Sequence, residues 1–215
     1  MPVPSATAAV RPSRPVRPDD PIKRVFDVVL ATVLLVLTLP LMAAVAVAVA
    51  VGLGRPVLFR QCRIGLDDRP FDLVKFRTMR SPHGALTSDA DRITPLGRWL
   101  RATSLDELPT LWNVVRGDMS LVGPRPLLPE YLDRYSPTQA RRHEVRPGVT
   151  GLAQVRGRNG LDWDDKLALD VEYVRHRSLR LDVSILAATV RTVLRREGIS
   201  AAGSATAPEF LGSRR

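Results

Sequence analysis

Residues 28–54 read VVLATVLLVLTLPLMAAVAVAVAVGLG, a run of 27 residues without a charged side chain and with Pro40 at its thirteenth position. A run this long and apolar is a candidate membrane segment. Proline removes a backbone donor and crowds the preceding turn, so a helix through Pro40 should kink. The halves on either side of it are 12 and 14 residues long. At the helical rise each is about 18–21 Å, short of a hydrocarbon core of about 30 Å. Both flanks are basic: Arg11, Arg14, Arg17, Lys23 and Arg24 before the run, Arg55, Arg60, Arg63 and Arg69 after it. Lys and Arg favour the cytoplasmic side, so both ends prefer the same side. A helix that enters, bends at Pro40 and returns through one leaflet satisfies both observations. A straight, tilted span is equally allowed by the residues. A cleaved signal peptide is a third reading, suggested by the A-x-A triplets over 44–50. The run is about twice the usual length of a signal h-region, which argues against it.

Outward from this run, the 215-residue chain keeps enough sequence for one domain with a real core. Its net charge of +10 implies acidic partners: phosphates, anionic lipid or nucleic acid. Nucleic acid competes poorly beside a membrane segment, and only 5% aromatic content leaves little for base stacking. Cys62 is the sole cysteine, so no internal disulfide forms, which suits a cytosol-facing domain. Residues 1–21, rich in Pro and Arg, read as a flexible basic tail that anionic lipid would attract. A membrane segment is placed at 22–54, a cytosolic domain at 55–198 and a flexible C-terminal tail at 199–215.

Pro56–Arg63 and Phe71–Met79 read as two strands joined by turn-forming Ile64–Pro70. Ser81–Asp91 reads as an exposed loop, and structure resumes from Arg92 to Arg101. The rest reads mostly helical: Leu108–Val115, basic amphipathic pieces over 129–134 and 137–143, Trp163–His176 and Leu181–Arg196. In the fourth, Leu167, Val171 and Val174 share a face; in the last, Leu186, Val190, Val193 and Leu194 do. Each helix could lie on a membrane surface or pack on the core. The fold class read from the residues is α+β and mostly helical: an N-terminal membrane helix kinked at Pro40, re-entrant or spanning, a short β-hairpin, and a helical cytosolic domain with interfacial amphipathic helices.

Chemistry-bearing residues are few. His83, His143 and His176 are far apart and lack a zinc-ligand pattern. No Walker A, G-x-G-x-x-G or G-x-S-x-G motif occurs. Asp89-Ala90-Asp91 and Asp162-Trp163-Asp164 could hold a divalent metal, or simply be solvated loops. Ser104-Leu105-Asp106-Glu107 fits a capping box, a purely structural role. Pro109 argues for a helix starting later, which leaves two adjacent carboxylates at its junction. Such a pair can divide labour: one attacks phosphorus, the other holds Mg²⁺. Around it, arginines are framed by Gly and Pro, as in Gly123-Pro124-Arg125-Pro126, Arg146-Pro147-Gly148 and Arg156-Gly157-Arg158. Guanidinium groups bind phosphate oxygens bidentately, although solvated turns would look the same.

Taken together, Lys23-Arg24-Val25-Phe26-Asp27, Lys75-Phe76-Arg77-Thr78-Met79, Ser104–Pro109, Trp112-Asn113-Val114, Gly117–Pro126, Val145–Gly151 and Leu169–Tyr173 resemble the bacterial sugar transferase family. These are the monotopic polyprenol-phosphate phosphoglycosyl transferases, and the likeness runs from about Lys23 to Gly198, in the small form with one hydrophobic segment. The resemblance implies a re-entrant helix broken at a Ser-Pro pair. Here Leu39 stands where the serine is expected, and Thr38 is the neighbouring hydroxyl. It implies a ping-pong reaction at the bacterial cytoplasmic membrane, with the catalytic domain facing the cytoplasm. Asp106, at an ordinary carboxylate pKa, attacks the β-phosphate of a UDP-sugar and expels UMP. Membrane polyprenol phosphate then takes the sugar phosphate, as a first membrane step of glycan assembly. Glu107 is implied as the Mg²⁺ ligand. Lys75, Arg77, Arg101, Arg125, Arg146 and Arg158 are expected near phosphates, with Gln154 and Asp170 as polar site residues. A Lys166–Asp170 helix-face ion pair is the plain alternative for Asp170. An ordinary glycosyltransferase or a UDP-sugar hydrolase working through an Asp-x-Asp pair, and a non-catalytic basic membrane scaffold, are the competing readings. A homodimer is left open.

Overall fold

The computed structural model describes residues 20–81, 89–157, 160–195 and 209–212. The apolar run as far as Leu53 lies within one long helix, α1 (Asp20–Leu53, 34 residues), which runs through Pro40. By length and composition it is apolar enough to cross a membrane, and only 11% of its most apolar window is buried. The side chains flanking the proline are open: Val36, Leu37, Leu39 and Leu41 are all exposed. Thr38 does not take over the carbonyl of Val36, whose partner amide Pro40 lacks. Its hydroxyl donates to Leu34 O (2.7 Å) and Leu35 O (3.3 Å), one turn earlier. Such back-bonding tends to bend a helix by itself.

Both ends of α1 are fastened to the same domain. At the start, Arg24 donates to the carbonyls of Val115 (3.2 Å) and Met119 (3.3 Å). Asp27, fully buried, accepts from Ser120 Oγ (2.7 Å), and Lys23 pairs with Asp182 (2.7 Å). At the other end, Arg77 donates to the carbonyls of Leu53, Gly54 (2.6 Å) and Arg55 (3.2 Å). The Leu53 carbonyl is one that a helix terminus leaves without a partner, and the other two follow it directly in the chain.

The predicted hairpin is present. Strands β1 (Leu58–Ile64) and β2 (Pro70–Phe76) pair antiparallel, Leu58 opposite Phe76 and Ile64 opposite Pro70. Their turn puts Asp67 (φ 54°) and Asp68 (φ 60°) in the left-handed region. Part of the expected 81–91 loop is instead a one-turn helix, α2 (Asp89–Arg92). Helix α3 (Pro95–Ala102) follows, with Thr94 Oγ1 accepting from Gly97 N (3.0 Å). Then come α4 (Thr110–Arg116), α5 (Leu152–Arg156), α6 (Trp163–His176) and α7 (Leu179–Arg195). The pieces at Pro129–Arg134 and Gln139–Glu144 are 3₁₀ helices. A second sheet was not expected from the residues: β3 (Ser120–Val122) and β4 (Gly148–Thr150), paired parallel. Three-residue strands carry no legible alternation, and Gly148 reads as turn chemistry. Glycine is required there, because a Cβ would lie 2.1 Å from Gly123 N.

The main core joins Ala31 of α1, Leu111 and Val114 of α4, Leu121 of β3, Tyr173 and Val174 of α6 and Ile185 of α7. A second cluster seats Val45 and Val49 of α1 on Phe76 and Leu100. The predicted face of α6 is buried, so this helix packs on the core. In α7 the buried side is set by Ile185, with Leu181 and Leu186 beside it, whereas Val190 is exposed. Within the expected flexible tail 199–215, Phe210 is 1% exposed and sits in a third cluster with Tyr131 and Leu167.

Candidate active site

Asp106 and Glu107 sit in a single 3₁₀ turn, Leu105–Glu107, between α3 and α4. Ser104 is no capping residue: its φ is 57° and its side chain caps nothing. Pro109 occupies the position just before α4. The carboxylates therefore turn toward the hairpin and the Gly123–Pro126 loop. Glu107 Oε1 accepts from Lys75 Nζ (2.6 Å) on β2 and from Arg125 (3.0 Å) on the loop. Both donors use the same oxygen, and Oε2 makes no hydrogen bond among the described residues. Thr110 Oγ1 donates to the Glu107 carbonyl and steadies the turn.

The two acids have opposite electrostatics. Asp106 is 8% exposed. Burial and then the Glu107 charge push its pKa up to about 6, against the pull of Lys75, Arg101 and Arg125. This differs from the ordinary carboxylate pKa expected from sequence. Burial works on Glu107 in the same direction, but the charges and hydrogen bonds of Lys75 and Arg125 outweigh it and hold that carboxyl well below the usual range. At neutral pH both are ionised, with Asp106 the more basic. Among the described residues no hydrogen bond engages the Asp106 carboxylate, so its oxygens stay available for attack. Lys75, Glu107 and Arg125 border a cleft that Arg63, Leu73, Met119 and Val149 also line.

The other predicted site residues divide. Arg101 donates to Thr78 Oγ1 (3.0 Å), and its charge reaches Asp106. Arg77 is engaged away from the carboxylate pair: its guanidinium donates to three carbonyls at the end of α1. Arg146 also lies elsewhere: its Nε donates to Gly117 O (3.0 Å), at the far end of α4. Asp170 is buried and pairs with Arg142 (3.1 and 2.8 Å), not with Lys166. Lys166 instead lies over the Trp163 ring. Gln154 has both amide atoms buried without a hydrogen-bond partner among the described residues, and it is not among the residues that line the cleft. Arg158 falls outside the described residues. Of the Asp-x-Asp pairs, Asp162 caps α6 by accepting from Asp165 N (2.8 Å), and Asp164 accepts from Gln139 (3.3 Å). Among the described residues no group of three acidic, His or Cys side chains forms a cation cage.

Two residues went unread in the sequence. Arg63 borders the cleft and donates to Pro126 O (3.4 Å); it looked like one more flanking charge. Arg142, 2% exposed, donates to the Arg125 carbonyl (2.5 Å) while paired to Asp170. In the sequence it lies in a basic run that reads as a solvated face.

A family model described as "Bacterial sugar transferase" matches residues 18–196. The uncharacterized sugar transferase EpsL of Bacillus subtilis is 50% identical over 195 residues, covering 89% of this chain and 96% of that protein. A UDP-glucose:undecaprenyl-phosphate glucose-1-phosphate transferase of Caulobacter vibrioides is 44% identical, covering 80% and 69%. The undecaprenyl-phosphate galactose phosphotransferase of Salmonella typhimurium is 38% identical over 82% of this chain, which spans only 41% of that longer protein. The match runs through α1, the carboxylate pair and the loop that faces it, so the chain is a transferase and belongs to the bacterial sugar transferase family.

Proposed function

We propose that this protein moves a sugar 1-phosphate from a UDP-sugar to a membrane polyprenol phosphate through a covalent intermediate on Asp106. The observation that carries this reading is a buried carboxylate with free oxygens beside Lys75, Arg101 and Arg125, at the foot of an exposed apolar helix. In the first step an Asp106 oxygen attacks the β-phosphorus. The bond to the bridging oxygen breaks, UMP leaves with that electron pair, and the sugar phosphate stays on Asp106. In the second step an oxygen of the polyprenol phosphate attacks the same phosphorus. The Asp106–phosphorus bond breaks, the carboxylate is regenerated, and polyprenyl diphosphate sugar departs. Splitting one transfer into two displacements lets each substrate use the same cleft in turn.

Arg125 and Lys75 serve the phosphates by placement: they fix Glu107 and neutralise charge where donor oxygens approach. Gln154, without a partner, is assigned to the donor's polar groups. Glu107 fits Mg²⁺ through its unengaged Oε2, because Mg²⁺ is commonly held by one or two carboxylates plus substrate phosphates. When bound, the ion would screen the diphosphate charge. The apolar helix, with both basic ends tied to one domain, supports a re-entrant anchor at the cytoplasmic membrane with the site facing the cytoplasm. Undecaprenyl phosphate and a UDP-hexose are the substrates that the relatives' names suggest. The test is incubation of the membrane-bound protein with radiolabelled UDP-sugars and Mg²⁺, without polyprenol phosphate. Label on the wild type, absent from Asp106→Asn and matched by UMP release, is the expected result. UDP release, or labelling that survives Asp106→Asn, overturns the mechanism.

A further inference from the structure

Phe210 lies beyond residues 18–196 that the family model matches, yet it is 1% exposed. Its ring meets Tyr131 edge-on (5.6 Å between centroids) and stacks on Tyr135 (5.6 Å, 24° between planes). Its backbone is held too: its amide donates to Tyr131 Oη (3.3 Å), and Arg134 donates to its carbonyl and to Glu209 (2.7 Å). Tyr135 carries the contact inward. Its hydroxyl accepts from Arg142 Nη1 (3.3 Å), whose guanidinium carbon also lies 5.7 Å from the Tyr135 ring centre. Arg142 is the residue that grips both Asp170 and the Arg125 carbonyl. Arg125 in turn holds Glu107.

We infer that Phe210 is a positioning residue for the donor-phosphate cleft: the C-terminal segment docks between Tyr131 and Tyr135 and, through Tyr135 and Arg142, fixes the backbone of Arg125. The contacts run without a break from Phe210 through Tyr135 and Arg142 to the Arg125 carbonyl. Removing the Phe210 ring leaves a cavity beside Tyr135 and lets the Tyr135–Arg142 contact relax. Arg125 then meets Glu107 and an incoming phosphate less often in the productive arrangement. This inference rests on the phosphate-transfer reading of the same cleft.

The experiment uses the full chain in lipid nanodiscs, with Phe210→Ala, Phe210→Leu, Arg125→Lys and the double variant Arg125→Lys/Phe210→Ala. UMP release in the presence of undecaprenyl phosphate gives kcat and the KM for the UDP-sugar. Hydrogen exchange is followed over residues 123–135. Phe210→Ala is expected to raise the donor KM about tenfold with kcat within about twofold, Phe210→Leu to recover most of the loss, and Phe210→Ala to add less than about twofold once Arg125 is Lys. Exchange over 123–135 is expected to quicken in Phe210→Ala and to stay near wild type in Phe210→Leu. An unchanged donor KM, or equal losses in both Arg125 backgrounds, overturns the inference, as does unchanged exchange. Should the wild type release no UMP, the transfer reading fails, and the exchange arm still decides whether Phe210 orders the Arg125 segment.

Discussion

At the scale of single residues, the site depends on two neighbouring acids made unlike by their surroundings. Lys75 and Arg125 both spend their bonds on Glu107, so Asp106 keeps its charge without a hydrogen bond to tie it down. Its pKa, raised to about 6, sets the pH dependence. Attack needs the carboxylate, so the rate of covalent labelling should rise about tenfold between pH 5 and pH 7, then level off. A labelling rate constant across that range would contradict Asp106 as the nucleophile. The sign for stability is opposite. The native state holds this proton more tightly than the unfolded chain, so the contribution of Asp106 falls as pH rises from about 4 to about 6. Asp106→Asn should therefore melt higher than wild type at pH 7, by on the order of 1 kcal/mol, while abolishing labelling. Asp170 should behave differently. Asp170→Asn leaves the Arg142 charge buried without its counter-ion, and a loss of about 3–5 kcal/mol in chemical denaturation is expected. A folded, fully stable Asp170→Asn with only a donor defect would return Asp170 to the ligand-binding set.

At the scale of elements, the helix ends and the strand crossing carry the architecture. Arg77 serves three carbonyls at the end of α1, and replacing it removes a cap, not a ligand contact. Arg77→Met should lower the melting temperature, with a cost of about 1–3 kcal/mol for the orphaned groups, and leave the donor KM of the folded fraction unchanged. A raised donor KM at unchanged stability would contradict this. The parallel pair β3–β4 tolerates no side chain at its tightest point. Gly148→Ala would drive a Cβ into Gly123 N and Thr150 O, at 2.1 and 2.3 Å, so the strands must separate. The loop leading from β3 carries Arg125, hence a soluble-expression or melting assay should register this substitution more strongly than any exposed Ala replacement in α7.

At the scale of the whole molecule, α1 is an apolar helix whose two ends are fastened to one domain. Arg24, Asp27 and Lys23 fasten the first end, Arg77 the second, and the residues around Pro40 present bare apolar surface. With Cys62→Ser as background, single cysteines at Asp20 and Leu58 should both react with a membrane-impermeant maleimide from the same side of oriented vesicles. Reaction from opposite sides would establish a straight span.

Much of this architecture is legible in the chain alone. The uncharged run, Pro40, the hairpin and α6 follow from local pattern: side chains three to four apart share a helix face, and alternation marks a strand. The carboxylate pair is legible as well, because Asp106 and Glu107 are adjacent in the chain. Partnership across the chain is not. Nothing local distinguishes Arg77, which caps a helix, from Arg125, which faces Glu107, or Arg146, which binds Gly117; all three read as arginines suited to phosphate. Arg142 looks like a surface charge and Phe210 like part of a frayed tail, yet both are buried. Local sequence sets which residues prefer helix, strand or lipid, since those preferences act over one or two turns. Which cation meets which carboxylate, and which aromatic ring closes which core, is decided by packing between segments distant in the chain.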